Sequence, residues 1–359
     1  MNKKVYYSNI FAFLFFISSS LFAQEHKADS VAHSGTEVPA KVEEQEDILK
    51  EAANEFNPGE MMMGHIADEH EWHFATDGHT HYSIPLPCIV YNKGGFKVFS
   101  SSKFKNEHHE EVPYEGLKLE EGKIMAEDGS YVFDLSITKN VASLLISFLL
   151  LIVTFLVIAK SYKERAGKAP KGLQSFFEPI IVFIRDEVAK TNIGEKHYRR
   201  FLPYLLTVFF FILFNNILGL LPGSANVTGN IAVTLVLAVI AFLVTNLNGR
   251  STYWGHIFAM PGVPKWLLVL LTPVEIIGIF MKPISLMIRL FANITAGHLI
   301  LLSLIALIFI FKSFGVALIA VPFSLFMNII EILVAFLQAY IFTVLVSTYI
   351  GAAVEEAHH

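Results

Sequence analysis

The chain has 359 residues, of which 53% are hydrophobic and 16% charged, and its formal net charge is −5. So few charges exclude an ordinary soluble domain, in which about a quarter of residues are charged, and no basic tract of the kind that grips nucleic acid is present. The single cysteine, Cys88, excludes an intrachain disulfide and a cysteine-rich metal site.

Polarity is unevenly spread. Residues 24–138 are rich in Glu, His, Lys and Asp, whereas residues 141–354 are mostly apolar. The pattern predicts a polar N-terminal region followed by a membrane domain over 139–359. Lys3 and Lys4, the apolar run Ile10–Phe22 and Ala23 form a secretory leader over residues 1–23. An uncleaved anchor is the competing reading of that run. Residues 24–60 are acidic and low in aromatics, and are expected to be flexible. An external module follows at 61–138, where short β-prone runs on either side of Gly94 and Gly95 read as a hairpin. His65, His70, His73, His79 and His81 lie among acids there, but their spacing fits no zinc pattern. A solvated polar module is therefore expected, with no metal site and no cofactor.

Five spans are predicted, at about 141–159, 201–221, 231–247, 283–311 and 316–354. The last two are longer than a ~30 Å hydrocarbon core requires and must tilt or protrude. Gly172–Lys190 mixes apolar and charged residues and suits a helix lying in the interface. Trp266–Phe280, interrupted by Pro273 and Glu275, reads as a re-entrant or interfacial helix. The fold class is thus all-α and polytopic, with a small β-rich external module. The connection 160–200 carries ten Lys or Arg, while 222–230 carries no charge. Basic connections stay in the cytoplasm, so the N-terminus is placed outside a bacterial inner membrane and the C-terminus inside.

Within the fourth span stands Arg289. A central Arg costs at least ~2.5–3.5 kcal/mol to insert, and such residues are functional by default. The alternatives are a side chain snorkelling to the near face or one paired with an acid of its own chain. At about 100° per residue, Asn293, Ala292 and Ala296 fall on the Arg289 face. Small residues let a second helix approach, inside the subunit or from outside it. Folding the last two helices antiparallel about the turn Lys312–Gly315 brings His298 level with Glu331, and Asn293 level with Gln338. A His and a Glu at one depth in apolar helices suit an ion path, since both can change protonation. Arg289 cannot relay protons, because a guanidinium does not release one in proteins. Passing protons must therefore use a carboxylate on a separate, moving partner.

The segments PISLMIRLFANITAGHLI and EILVAFLQAYIFTVLVSTYI, with FNNILGLLPG upstream, resemble the subunit a family of bacterial and mitochondrial ATP synthases over roughly residues 134–355. The resemblance implies a proton-translocating stator subunit with two half-channels, and no catalysis of its own. Its implied partners are a c-ring of two-span subunits, peripheral-stalk b subunits, the rest of the synthase and the lipid bilayer. It makes Arg289 the stator arginine facing the ring, and puts Asn293 and Gln338 beside the ion path. His298 and Glu331 fall in the outer half-channel, in an arrangement resembling the mitochondrial one. Glu275 matches a polar position linked to the channel region. The sequence lacks a GxxxxGK[ST] phosphate loop. A self-contained channel or transporter, which would need a complete carboxylate relay, and a structural membrane anchor are the other classes considered.

Overall fold

The computed structural model describes residues 68–355, apart from 78–79, 94, 107–111, 121, 222–223, 259 and 261–262. The leader at 1–23, the acidic segment at 24–60 and His65 lie outside the described residues, as do the side chains of His73, His79 and His81.

Seven short strands precede the helices. Strands β1 (Glu71–Asp77) and β2 (Thr80–Pro85) form one antiparallel pair, and β5 (Leu117–Glu120) and β6 (Lys123–Ala126) another. Strands β3 (Pro87–Asn92), β4 (Gly95–Ser100) and β7 (Phe133–Asp134) make a three-stranded sheet in the order β4-β3-β7. In the β3–β4 hairpin Asn92 stands opposite Gly95. At Gly95 φ is +100°, a conformation that costs glycine no Cβ clash. Alternation along β3 turns Cys88 and Val90 inward against Phe104, Leu117 and Ile124. Burial pushes the Cys88 thiol up to about 11, so it is an inert core residue.

This β layer runs into the first helix, α1 (Lys139–Glu164), without slack. The Asp68 carboxylate accepts from Thr138 Oγ1 and from the Asn140 amide, both at 3.0 Å, and satisfies part of the helix start. The Glu69 carbonyl accepts from the Lys139 amide at 2.9 Å. One strand away, the buried His70 donates from Nε2 to Asp134 Oδ2 at 2.9 Å.

The helical part continues with α2 (Leu173–Phe183), a π-helical turn (Ile184–Lys190) and a short helical turn (Thr191–Ile193). Then come α3 (Tyr198–Gly219), a 3-10 turn (Val227–Gly229), α4 (Ile231–Leu247), α5 (Ser251–Phe258), α6 (Lys265–Phe311) and α7 (Phe314–Val354). Among the described residues α1, α3, α6 and α7 are each long and apolar enough to cross a membrane. The 17-residue α4 reaches that standard only together with α5, from which it is bent by 102°. The chain is a multi-pass membrane protein.

Two expectations need correction. Trp266–Phe280 is not a separate re-entrant element: one helix of 47 residues runs from Lys265 through Pro273 and Pro283 to Phe311. Proline usually ends a helix because it lacks an N–H and crowds the preceding turn. In an apolar setting the alternatives leave still more backbone unsatisfied, so the helix continues. The segment Gly172–Lys190 is likewise not one regular helix, since it widens into the π turn after Phe183.

The core lies where α3, α6 and α7 meet, around Leu205, Phe209, Phe210, Leu290, Phe342 and Val346, all within 1% of full burial. Each such side chain contributes roughly 1.5–3 kcal/mol in a watery setting; between apolar helices close packing does the work instead. The far end of α7 is clamped by the π turn. The Val188 carbonyl accepts from Ser347 Oγ at 3.0 Å and from Asn192 Nδ2 at 2.9 Å. Gly351 touches this segment so closely that a Cβ there would fall on the Asn192 carbonyl oxygen.

Asp134→Asn tests the β layer. Burial raises the Asp134 carboxyl, but the hydrogen bonds from His70 and Ser136 outweigh it and hold the group below the usual carboxylate range. A lowered folded pKa stabilises above the unfolded value of 3.8, and that gain is lost as pH falls through the folded value. At neutral pH the variant is expected to lose about 1–3 kcal/mol from the β layer, because a buried donor loses its charged acceptor. The difference from the parent protein is expected to shrink below pH ~4. Hydrogen exchange of the β3 amides across pH measures both.

Candidate functional site

Helices α6 and α7 are antiparallel and joined at Lys312, which takes left-handed φ of 42°. Their register can be followed at three levels. Lys282 Nζ lies 5.2 Å from the Tyr349 ring centroid. Eleven residues on, Asn293 Nδ2 donates to Gln338 Oε1 at 2.9 Å. One turn further, a Cβ on Gly297 would meet Glu331 Oε1 at 2.6 Å, so glycine is what leaves room for that carboxylate. His298 adjoins this contact. The depth worked out from the turn is the one at which Asn293 and Gln338 meet, while His298 and Glu331 line one cavity.

Arg289 stands one turn before Asn293 and is half-buried. Its neighbours Leu286 and Leu290 point into the core, at 3% and 0% exposure. Ile288, Ala292 and Ala296 lie open. The guanidinium therefore springs from the border between the packed and the open side of α6. Among the described residues no acid lies within ion-pair distance of it and no hydrogen bond ends on it. The alternative in which it is locked to an acid of its own chain is not what the described residues form.

Glu331, Asn293 and His298 share a cavity of about 70 Å³ with Asn216 and Asn226. That is room for a few water molecules beside polar partners. Glu331 is 8% exposed, and its Oε2 is buried without a protein partner. A buried carboxylate oxygen left so is costly unless water or a proton satisfies it. The wall is organised by Asn216, whose Nδ2 donates to the Ala335 carbonyl at 3.2 Å and whose Oδ1 accepts from Thr228 Oγ1 at 2.7 Å. These bonds tie α3 to α7 and to the turn Val227–Gly229. Asn216, Asn226 and Thr228 were not among the residues expected at the site. The signal available in the sequence was the paired amide Asn215-Asn216 inside an otherwise apolar run. Glu275 is not brought to this group: it lies exposed on α6, 14 residues before Arg289 and so about 21 Å along the axis.

The arrangement combines a permanent cation at an open helix face with a water-sized cavity holding a carboxylate and an imidazole. Two amides stand between them. The cavity groups can take up and release protons; the cation can only attract a charge or bar its passage.

Comparison with known proteins places the whole chain. The family model described as ATP synthase A chain matches residues 141–351, and a domain of unknown function (DUF8433) matches residues 61–143. The chain is 45% identical over 233 residues to ATP synthase subunit a of Chloroherpeton thalassium, which covers 63% of this chain and 69% of that protein. It is 47% identical over 234 residues to ATP synthase subunit a 2 of Prosthecochloris aestuarii, covering 63% and 71%. Against ATP synthase subunit a of Anaeromyxobacter sp. it is 39% identical over 325 residues, covering 86% and 73%.

Gly297→Ala probes the site without touching an ionisable group. The added methyl forces the Glu331 carboxylate aside, and overpacking of this kind costs about 1–3 kcal/mol. Ala296→Gly, its neighbour on the open face, removes no packed methyl and is expected to cost no more than helix propensity, about 1 kcal/mol. Denaturant titration of the two purified variants compares them.

Proposed function

Because the chain belongs to the ATP synthase A chain family and so to the membrane sector of that complex, we propose that it is the proton-conducting stator of a rotary ATP synthase, with Arg289 as its fixed charge. The observation that carries the proposal is the half-buried Arg289 with no acid partner among the described residues, on a helix face opened by Ala292 and Ala296. A guanidinium at that depth requires an anion. A carboxylate carried past on a ring of c subunits answers it in turn, each loaded from one side and emptied on the other.

In this reading the cavity of His298 and Glu331 is the inner end of the outer half-channel. Asn293 and Gln338, joined to each other, separate it from Arg289. Protons load a c-ring carboxylate there, ride round the ring and leave on the cytoplasmic side, with Glu275 as a further polar position of the channel region. The bent pair α4–α5 is a span, the third of five, so that the N-terminal module faces the periplasm and the C-terminus the cytoplasm. The b subunits of the peripheral stalk hold the chain still. Each proton crossing 100 mV releases ~2.3 kcal/mol to drive rotation, and ATP is made on other subunits.

In inverted membrane vesicles, Arg289→Ala is expected to abolish proton-driven ATP synthesis while the complex still assembles. Arg289→Lys is expected to fail or leak, because lysine lacks the planar fork and can lose its proton when buried. Normal synthesis by the alanine variant refutes the role.

A further inference from the structure

Helices α1 and α3 pack together, with Phe155 edge-on to Phe210 at 4.8 Å between ring centroids. Beside this contact runs a groove of about 400 Å³, walled by Ile152, Phe155 and Leu156 of α1 and by Pro203, Leu206 and Phe210 of α3. Its lone hydroxyl, on Thr207, already donates to the Pro203 carbonyl at 2.8 Å. Nothing polar on the walls asks for a partner, so the occupant is apolar along this length.

Both walls end in a cation at the same end of the groove. On α1, Lys163 follows Leu156 by seven residues and Ile152 by eleven. On α3, Arg199 precedes Pro203 by four, Leu206 by seven and Phe210 by eleven. At 3.6 residues per turn these spacings keep each cation on the stripe that lines the groove, about 6–10 Å beyond its last wall residue. Lys163 and Arg199 are both exposed. Arg199 donates from Nε to Tyr198 Oη at 3.3 Å, which uses one of its five donors, and Glu195 is the acid that acts on it from its own chain. The start of α3 adds to the field there, since His197 provides no side-chain cap and the helix presents its positive end.

From an apolar trough with an exposed cation beyond the same end of each wall we infer that the α1–α3 groove is a binding site for an anionic phospholipid, with an acyl chain along the walls and the phosphate at the end marked by Lys163 and Arg199. The charge complementarity selects a phospholipid of net negative charge over a neutral one. A partner's transmembrane helix, about 10 Å across, would cover the walls but would answer the cations only if it carried acids at this level, so it is the competing occupant that the test separates. The inference needs the chain to cross a bilayer and is independent of what Arg289 does.

The test uses the full chain in nanodiscs holding equal amounts of phosphatidylglycerol and phosphatidylcholine, followed by native mass spectrometry of retained lipid. One phosphatidylglycerol per chain is expected to survive gentle release. Lys163→Gln with Arg199→Gln is expected to weaken its retention roughly thirtyfold, from the usual attraction of two surface cations for anionic lipid. Lys163→Arg with Arg199→Lys, which keeps both charges, is expected to hold it. Leu206→Trp, which fills the trough, is expected to expel lipid with both charges in place. Equal retention of the two lipids by the parent chain, or phosphatidylglycerol retention untouched by either the glutamines or the tryptophan, overturns the site. So does a photo-crosslinker at position 152 of the assembled complex that captures a polypeptide and no lipid.

Discussion

The structure depends on a charge that cannot be discharged. Carboxylates, imidazoles and amines can enter an apolar region by becoming neutral; a guanidinium keeps its proton. Whatever surrounds Arg289 must therefore accommodate a full positive charge. The described chain supplies amides and small residues there but no carboxylate. An uncompensated cation of this kind is destabilising for the subunit by itself. In the function proposed above, the anion arrives from elsewhere and leaves again.

Two long helices in fixed register convert that charge into a site. The 47 residues of α6 and 41 of α7 would span about 70 and 60 Å, twice the thickness of a hydrocarbon core. Over such a length a small error of register accumulates, and the Asn293–Gln338 bond and the Gly297–Glu331 contact hold it in the middle. Asn216 adds a third helix to the same level through the Ala335 carbonyl. The cavity beside Glu331 is thus bounded by hydrogen-bonded amides on two sides, which fixes its dimensions more firmly than apolar packing alone.

Much of this could be read from the residues. Long apolar runs announced α1, α3, α6 and α7, and counting from the Lys312 turn matched Asn293 with Gln338 and brought His298 and Glu331 to one cavity. That works because a helix advances by a constant 1.5 Å per residue. The failures have equally definite causes. Pro273 and Pro283 suggested breaks, since proline's local cost is visible in sequence whereas the lack of any better backbone partner in an apolar surrounding is not. The 102° bend between α4 and α5 falls at Asn248–Arg250, where the Asn248-Gly249 pair marks a turn but does not give its angle. Asn216 and Thr228 meet across a loop, and Asp68 reaches the start of α1 across 70 residues. Contacts of that range have no periodicity to betray them.

The clamp at the far end of α7 has a mechanical consequence. The Val188 carbonyl of the π turn accepts from Asn192 within its own segment and from Ser347 of α7. With Gly351 pressed against Asn192, the last turns of α7 are fastened to a segment whose Ile184, Val188, Ala189 and Ile193 are themselves buried in the common core. A rod held at one end by a tight reversal and at the other by this bracket resists sideways bending between its supports. Any drag exerted on its middle is passed to the anchorage at Ile184–Ile193 and appears there as strain, leaving the spacing around Glu331 and Gln338 unchanged.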